Sequence, residues 1–208
     1  MFPLEVVLFP GGVLQLHVFE ERYKIMMRDV MASDCHFGVV LIERGSEVGG
    51  GDVRMGVGTS ARVHEAQRIA NGRWLVVALG GCRLRVDRWL PDAPYPRAEV
   101  RAFPDATGRD VEEPARASLN ERMRRVLPDL AGLEELVAPA TVDLGADSAH
   151  WSFRLADLGP FTELDRQRLL EVGSVLERNA LLSELVEEVD GINKLRLKIG
   201  EEAGEGWG

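Results

Sequence analysis

Cysteine is almost absent from this chain, with only Cys35 and Cys82 in 208 residues. Two thiols build neither a disulfide framework nor, by themselves, a four-ligand zinc site, and a reducing cytoplasm is the expected compartment. Lysine is equally sparse: Lys24, Lys194 and Lys198 stand against 22 arginines. No apolar run approaches the roughly 18 residues of a membrane span, so no membrane partner is expected. A basic segment followed by a long apolar core, the mark of a secretory signal, is also missing from the start. What remains is 45% hydrophobic and 28% charged, a soluble globular balance. The net charge of −9 argues against nucleic acid as a partner, because phosphate binding needs a basic footprint.

Catalytic signatures are missing as well. Gly-Lys occurs nowhere, which removes the usual P-loop, and S-x-x-K, G-x-S-x-G, C-x-x-C and H-E-x-x-H are absent. His64-Glu65 begins the last of these, but Arg68 stands where its second histidine belongs. Gly56-Val57-Gly58-Thr59-Ser60-Ala61 matches the dinucleotide pattern G-x-G-x-x-[GA] yet lies inside an alternating strand, so a bend or bulge is the expected role of its glycines. Gly49-Gly50-Gly51 reads as a hairpin loop and not an anion nest, since no lysine is near. Cys35-His36 has no third group to orient it, and His17, His64 and His150 lack ligand spacing. No catalytic residue, cofactor or metal site is expected.

The residues that are present divide the chain in two. Residues 1–104 carry a net charge of +1 and residues 105–208 a net charge of −10. Pro91, Pro94, Pro96, Pro104 and Pro114 crowd the change, which places a boundary near 104–112. The first part reads as strands: Glu5–Leu8, Leu14–Val18, Phe37–Ile42, an alternating run Val53–Val63, Trp74–Leu79, and alternations about Leu84 and Ala98. Asn71-Gly72 marks a tight turn. One helix interrupts them, with Phe19, Tyr23, Met26, Met27, Val30 and Met31 on a single face. Such a stripe is core, or else a methionine-lined peptide groove. Met27 is assigned to core, and Met31, near the helix end, is the candidate peptide contact. The second part reads as helices: one from Pro114 to about Leu127, a short one at 129–137, one capped by Ser148, and two over 163–189 broken at Gly173. The tail from Gly200 is expected to fray.

A resemblance adds to this pattern. Phe2-Pro3-Leu4-Glu5-Val6-Val7-Leu8-Phe9-Pro10-Gly11, then Leu16-His17-Val18-Phe19-Glu20 and Arg22-Tyr23, closely resemble the start of the Lon protease N-terminal substrate-binding domain. Val57-Gly58-Thr59-Ser60-Ala61, the stretch Gly80 to Val86 with Arg83 and Arg85, and the set Gln167, Leu169, Leu170 and Glu171 are similar to later elements of that family. The resemblance implies an α+β fold: a PUA-like β pseudobarrel with one inserted helix over 1–104 and a C-terminal helical bundle over 105–199; the Gly- and Glu-rich composition of 200–208 marks a disordered tail. It implies a stand-alone, non-catalytic module that binds unfolded or exposed apolar polypeptide segments at a barrel–bundle groove, as an adaptor for an ATP-dependent protease or chaperone. Phe9, Pro10, Gly11, Leu16, His17, Phe19, Glu20, Arg22, Tyr23, Gly58 and Thr59 form the signature. Packing and turn geometry are their simpler role. RNA binding is the alternative, since PUA-like barrels elsewhere bind RNA. It would use a face holding Arg54, Arg62, Arg83 and Arg85.

Overall fold

A computed structural model describes residues 1–47, 51–108, 110–127 and 147–205. The strands are β1 (Phe2–Leu4), β2 (Val13–Val18), β3 (His36–Arg44), β4 (Val53–Arg68), β5 (Trp74–Leu90) and β6 (Arg97–Ala102), with helix α1 (Glu21–Met31) between β2 and β3. Helices α2 (Glu113–Val126), α3 (Ser148–Leu158), α4 (Glu163–Glu171) and α5 (Val175–Glu205) follow. The sheet runs β1-β3-β4-β5-β2, and β6 pairs with β5. Among the described residues, only the β1–β3 pairing is parallel. The fold is α+β, as expected, but the sheet is open. Its end strands β1 and β2 are not paired with each other, although both line one cavity. The expected barrel is a sheet curled until its ends flank a seam.

Several local expectations change for physical reasons. Glu5–Leu8 is not a strand; β1 lies upstream, on Val39–Leu41. Side chains bond three backbone groups of residues 5–8 in place of a ladder. Glu5 N–H donates to Glu47 Oε1 and Val7 N–H to Glu163 Oε2, both at 2.6 Å, and the Thr59 hydroxyl donates to Leu8 O at 2.6 Å. β4 and β5 are single strands of 16 and 17 residues, longer than the pieces read from sequence, and register shifts in β4–β5 accommodate the bending. Gly58 sits inside β4, with no helix after it, which removes the dinucleotide reading. A methyl group at Gly58 would run into the Val39 carbonyl oxygen, and one at Gly80 into the Phe9 carbonyl oxygen. These glycines permit close backbone approach. Asn71 (φ 62°) and Gly72 (φ 71°) both occupy the left-handed region that a tight hairpin turn requires.

Phe19, on the expected buried face of α1, is 51% exposed. The helix begins two residues later, and Glu20 is extended (φ −68°, ψ 140°), so helical spacing does not reach back to Phe19. Asp147, not Ser148, caps α3, its carboxylate accepting from His150 N–H at 2.7 Å. The break at Gly173 is present between α4 and α5, and Ser174 Oγ accepts from Glu177 N–H at 3.3 Å. α5 continues to Glu205, through Gly200 where fraying was expected. Gly200 and Gly204 each cost only about 1 kcal/mol, and Glu201, Glu202 and Ala203 favour helix. The helix expected at 129–137, Gly49-Gly50 and residues 206–208 lie outside the described residues.

Two apolar clusters form the interior. One lies under the sheet around Tyr23, Met26, Met27, Phe37 and Val76. The other joins Val7, Phe9, Leu41 and Val57 to Leu119, Trp151, Phe153, Leu169 and Leu182 of the helices. The polypeptide between β6 and α2 is fastened by charge. Asp105 accepts two bonds from Arg178, at 2.9 and 2.7 Å, and one from Arg83 at 2.7 Å. Arg83 also donates to the carbonyls of Leu170 and Val172. Burial lowers the Arg83 guanidinium to about 10, against the opposing pull of Asp105, and it remains charged at neutral pH.

Candidate functional site

Strand β2 collects the features that could meet another molecule. Leu14, Leu16 and Val18 point to the interior, whereas Val13, Gln15 and His17 face out. The registry sets Val13 opposite Leu79, Gln15 opposite Val77 and His17 opposite Leu75. β4 continues the row with Glu65 beside Val77 and Gln67 beside Leu75. The outer face therefore carries exposed Val13, Leu75 and Leu79, and Phe19 follows at the end of β2. A cavity of about 440 Å³ lies on this face, lined by Gln15, His17, Glu65, Gln67, Leu75 and Val77 among others. A second, of about 230 Å³, lies in the seam between β1 and β2, where Phe2, Leu4, Leu14, Leu16, Phe19 and Tyr23 contribute walls. The expected barrel–bundle groove is present as a third, of about 270 Å³, between Pro10–Val13 and the α3 residues Phe153, Arg154, Asp157 and Leu158. Its bundle wall carries Arg154 and Asp157, whereas the sheet-face cavity mixes Gln15, His17, Glu65 and Gln67 with aliphatic side chains.

The signature residues separate into an inner and an outer set. Phe9 is buried against Phe153, ring centroids 5.7 Å apart. Pro10 and Gly11 form the turn beneath it. Gly11 has φ 79°, a left-handed backbone that side-chain-bearing residues rarely adopt, and donates its N–H to Gly80 O at 2.9 Å. Thr59 is fully buried, and Tyr23 is stacked on Phe2 at 4.2 Å. Burial pushes the Tyr23 phenol up to about 12. Arg22 lies over the Tyr23 ring at 4.5 Å, pairs with Glu20 at 3.2 Å and donates to Glu47 O at 3.1 Å, which closes one end of the seam. Leu16 is half-buried on the inner cluster. His17 and Phe19 stand outside, ring centroids 6.0 Å apart. Met26 and Met27 are buried, and Met31 is 39% exposed. Sequence reasoning missed the outer row Leu75-Val77-Leu79. The run Trp74–Leu79 is apolar at both parities, so its two faces cannot be told apart without the register.

The four arginines of the RNA reading do not form a free basic face. Arg83 is buried on Asp105, and Arg85 stacks on Phe103 with 4.1 Å between guanidinium carbon and ring centroid. Arg54 pairs with Asp52 and Asp92 and lies over the Trp89 ring at 4.9 Å. Arg62 alone among the four is exposed. Burial pushes Asp52 up, but its hydrogen bond and charge contact with Arg54 outweigh this and hold the carboxyl below its ordinary 3.8. A depressed folded-state value means that the unfolded chain binds the proton more readily. The stability this contributes is present above pH 3.8 and is lost as pH falls through the lower folded value. Asp52→Asn is expected to flatten the acid side of a pH-dependent urea-unfolding series. An unchanged acid slope would refute the assignment.

Among the described residues, no group of three or more His, Cys, Asp or Glu side chains could hold a metal ion, and no helix is long and apolar enough to cross a membrane. The molecule is thus an open sheet with an apolar outer row, packed on helices. The same architecture occurs in solved structures. The Lon N-terminal domain protein from Xanthomonas campestris superposes with a TM-score of 0.66 at 27% identity, covering 88% of this chain and 95% of that one. The N-terminal domain of Mycobacterium avium complex Lon protease shares the fold with a TM-score of 0.63 at 20% identity. Residues 1–188 match the model of the ATP-dependent protease La (LON) substrate-binding domain, and the chain belongs to that family. Lon protease 2 of Myxococcus xanthus is 29% identical over 93% of this chain, and Lon protease 4 of Sorangium cellulosum is 31% identical over 97%. The chain spans about a quarter of the length of these relatives (24% and 26%). The family is described as a substrate-binding domain, and membership supports a substrate-binding role.

Proposed function

We propose that this chain is a non-catalytic module that binds unfolded or exposed apolar polypeptide segments and presents them, as an adaptor in the cytoplasm, to an ATP-dependent protease or chaperone. The observation that carries the reading is the exposed row Val13, Leu75 and Leu79 with Phe19, on a member of a substrate-binding family. Exposed apolar side chains placed side by side, unlike scattered ones, mark an interaction surface. Low sequence specificity fits a shallow sheet face on which exposed Val13, Leu75 and Leu79 lie beside polar side chains. Neither a nucleophile–base pair nor a phosphate-binding loop was found in the sequence, which supports a role without turnover.

The test is binding of reduced, unfolded β-casein by fluorescence anisotropy, with ATP hydrolysis and casein cleavage measured on the same preparation. Casein is expected to bind, natively folded control proteins to bind much less, and neither turnover to rise above background. Replacing Leu75 and Leu79 together by serine is expected to weaken casein binding by about tenfold while the melt changes little, since both side chains are substantially exposed. Full binding by that double variant would remove the sheet face as the site. ATP turnover that survives stringent purification would overturn the non-catalytic reading.

A further inference from the structure

We propose that the occupant of the β2 edge is an extended polypeptide segment that adds to the sheet as a further strand, with apolar residues at alternate positions and Lys or Arg at its ends. This rests on the polypeptide-binding reading above and specifies how that binding occurs. Gly80 N–H donates to Gly12 O at 2.9 Å, and Gly80 O accepts from Gly11 N–H at 2.9 Å, so residue 80 turns its backbone groups toward β2. Alternation along the antiparallel ladder then makes Leu14–Ala78, Leu16–Val76 and Val18–Trp74 the hydrogen-bonded pairs. The N–H and C=O groups of Val13, Gln15 and His17 point the other way. Among the described residues, no strand pairs with that side of β2. Six backbone groups thus form a template over about 17 Å of strand, at the usual ~3.3 Å per residue.

The surroundings match the two faces of an added strand. Its inward side chains would enter the seam cavity beside Leu14 and Leu16, and its outward ones would lie with Gln15 and His17 beside Leu75. The acidic groups bordering these two cavities are Glu20, Glu47 and Glu65, and no lysine or arginine lines either one. Arg22 pairs with Glu20, and the Glu47 carboxylate accepts from Glu5 N–H, which leaves the walls acidic overall. Basic ends on the incoming segment complement that charge. Main-chain bonds would provide affinity independent of sequence, and the seam cavity would select for apolar side chains at alternate positions.

The experiment is amide hydrogen exchange by NMR on the intact chain, with and without a synthetic probe, acetyl-Lys-Val-Thr-Val-Thr-Val-Lys-amide. In the free protein the amides of Leu14, Leu16 and Val18 are expected to exchange slowly and those of Val13, Gln15 and His17 quickly. Saturating probe is expected to slow the second set at least tenfold. The same peptide N-methylated at alternate residues, in either of the two possible sets, tests the backbone bonds without altering the protein: one set is expected to weaken binding at least tenfold and the other to be tolerated. A probe with Glu in place of both Lys is expected to bind at least threefold more weakly. Outward amides that stay fast with bound probe, or equal affinity for both N-methylated sets and the parent, would overturn strand addition even with casein still bound. Outward amides already slow in the free protein and released on dilution would assign the edge to a second copy of this chain and equally overturn it. Failure of both casein and probe to bind would overturn the functional reading itself.

Discussion

Replacing Asp105 by alanine is expected to destabilise the protein by about 3–5 kcal/mol, the cost of removing one member of a buried ion pair. The magnitude follows from what would be left behind. Arg178 is completely buried and Arg83 nearly so, and Asp105 is the carboxylate that pairs with both. Arg178 retains its bond to Ser152 Oγ at 2.8 Å and its stacking on Phe153 at 3.7 Å, but neither supplies negative charge. Two desolvated guanidinium groups would then face each other without a counter-ion. For a chain of this size, 1 kcal/mol moves the midpoint by roughly 2–4 °C, so a fall of roughly 6–20 °C is expected in a calorimetric melt. Asp105→Asn separates charge from shape and is expected to lose nearly as much. A shift below about 2 °C for both variants would show that water or rearranged carbonyls compensate the cations.

A loss of about 2–5 kcal/mol is also expected for Met27→Ala, the usual range for a large-to-small change in a packed interior. Met27 has no exposed surface and lies among Tyr23, Met26, Phe37 and Val76. Met31→Ala, made in parallel, is expected to stay within about 0.5 kcal/mol, because that side chain is substantially solvated. We propose Met31 as a peripheral contact for bound polypeptide, so the same variant is also measured for casein affinity. An unmoved melt for Met27→Ala accompanied by lost casein binding would reverse the roles assigned to this helix face.

Much of the chain was legible before its structure because local chemistry and global packing agree. The period of Tyr23, Met26, Met27 and Val30 gave the buried face of α1, and Ser174 with Glu177 marked the start of α5. What the sequence hid depends on partners distant in the chain. Glu5–Leu8 has the composition of a strand, yet its backbone is satisfied by Glu47, Thr59 and Glu163. Arg83 was legible only as part of a motif and of an arginine-bearing face, and nothing local in the sequence tied it to Arg178; Asp105 pairs with both, across 22 and 73 residues. The outer row of β5 was obscured by an apolar run with no contrast between its faces. The edge of β2 was invisible for a simpler reason: which strand ends a sheet is decided by topology, and no residue type announces it.

The interior shared by the sheet and the helices bears on how this molecule can be divided. A cut in the polypeptide between β6 and α2 would fall at an obvious change of composition, but it would strip Val7, Phe9, Leu41 and Val57 of the helices that cover them and leave Leu119, Trp151 and Leu169 equally bare. It would also separate Arg83 from Arg178, whichever fragment kept Asp105. Each fragment would inherit one wall of a room. The expected behaviour is a single cooperative melt for the whole chain and sticky, poorly ordered products from either fragment. The charge asymmetry that distinguishes the two stretches therefore describes their surfaces, while their cohesion is held in common.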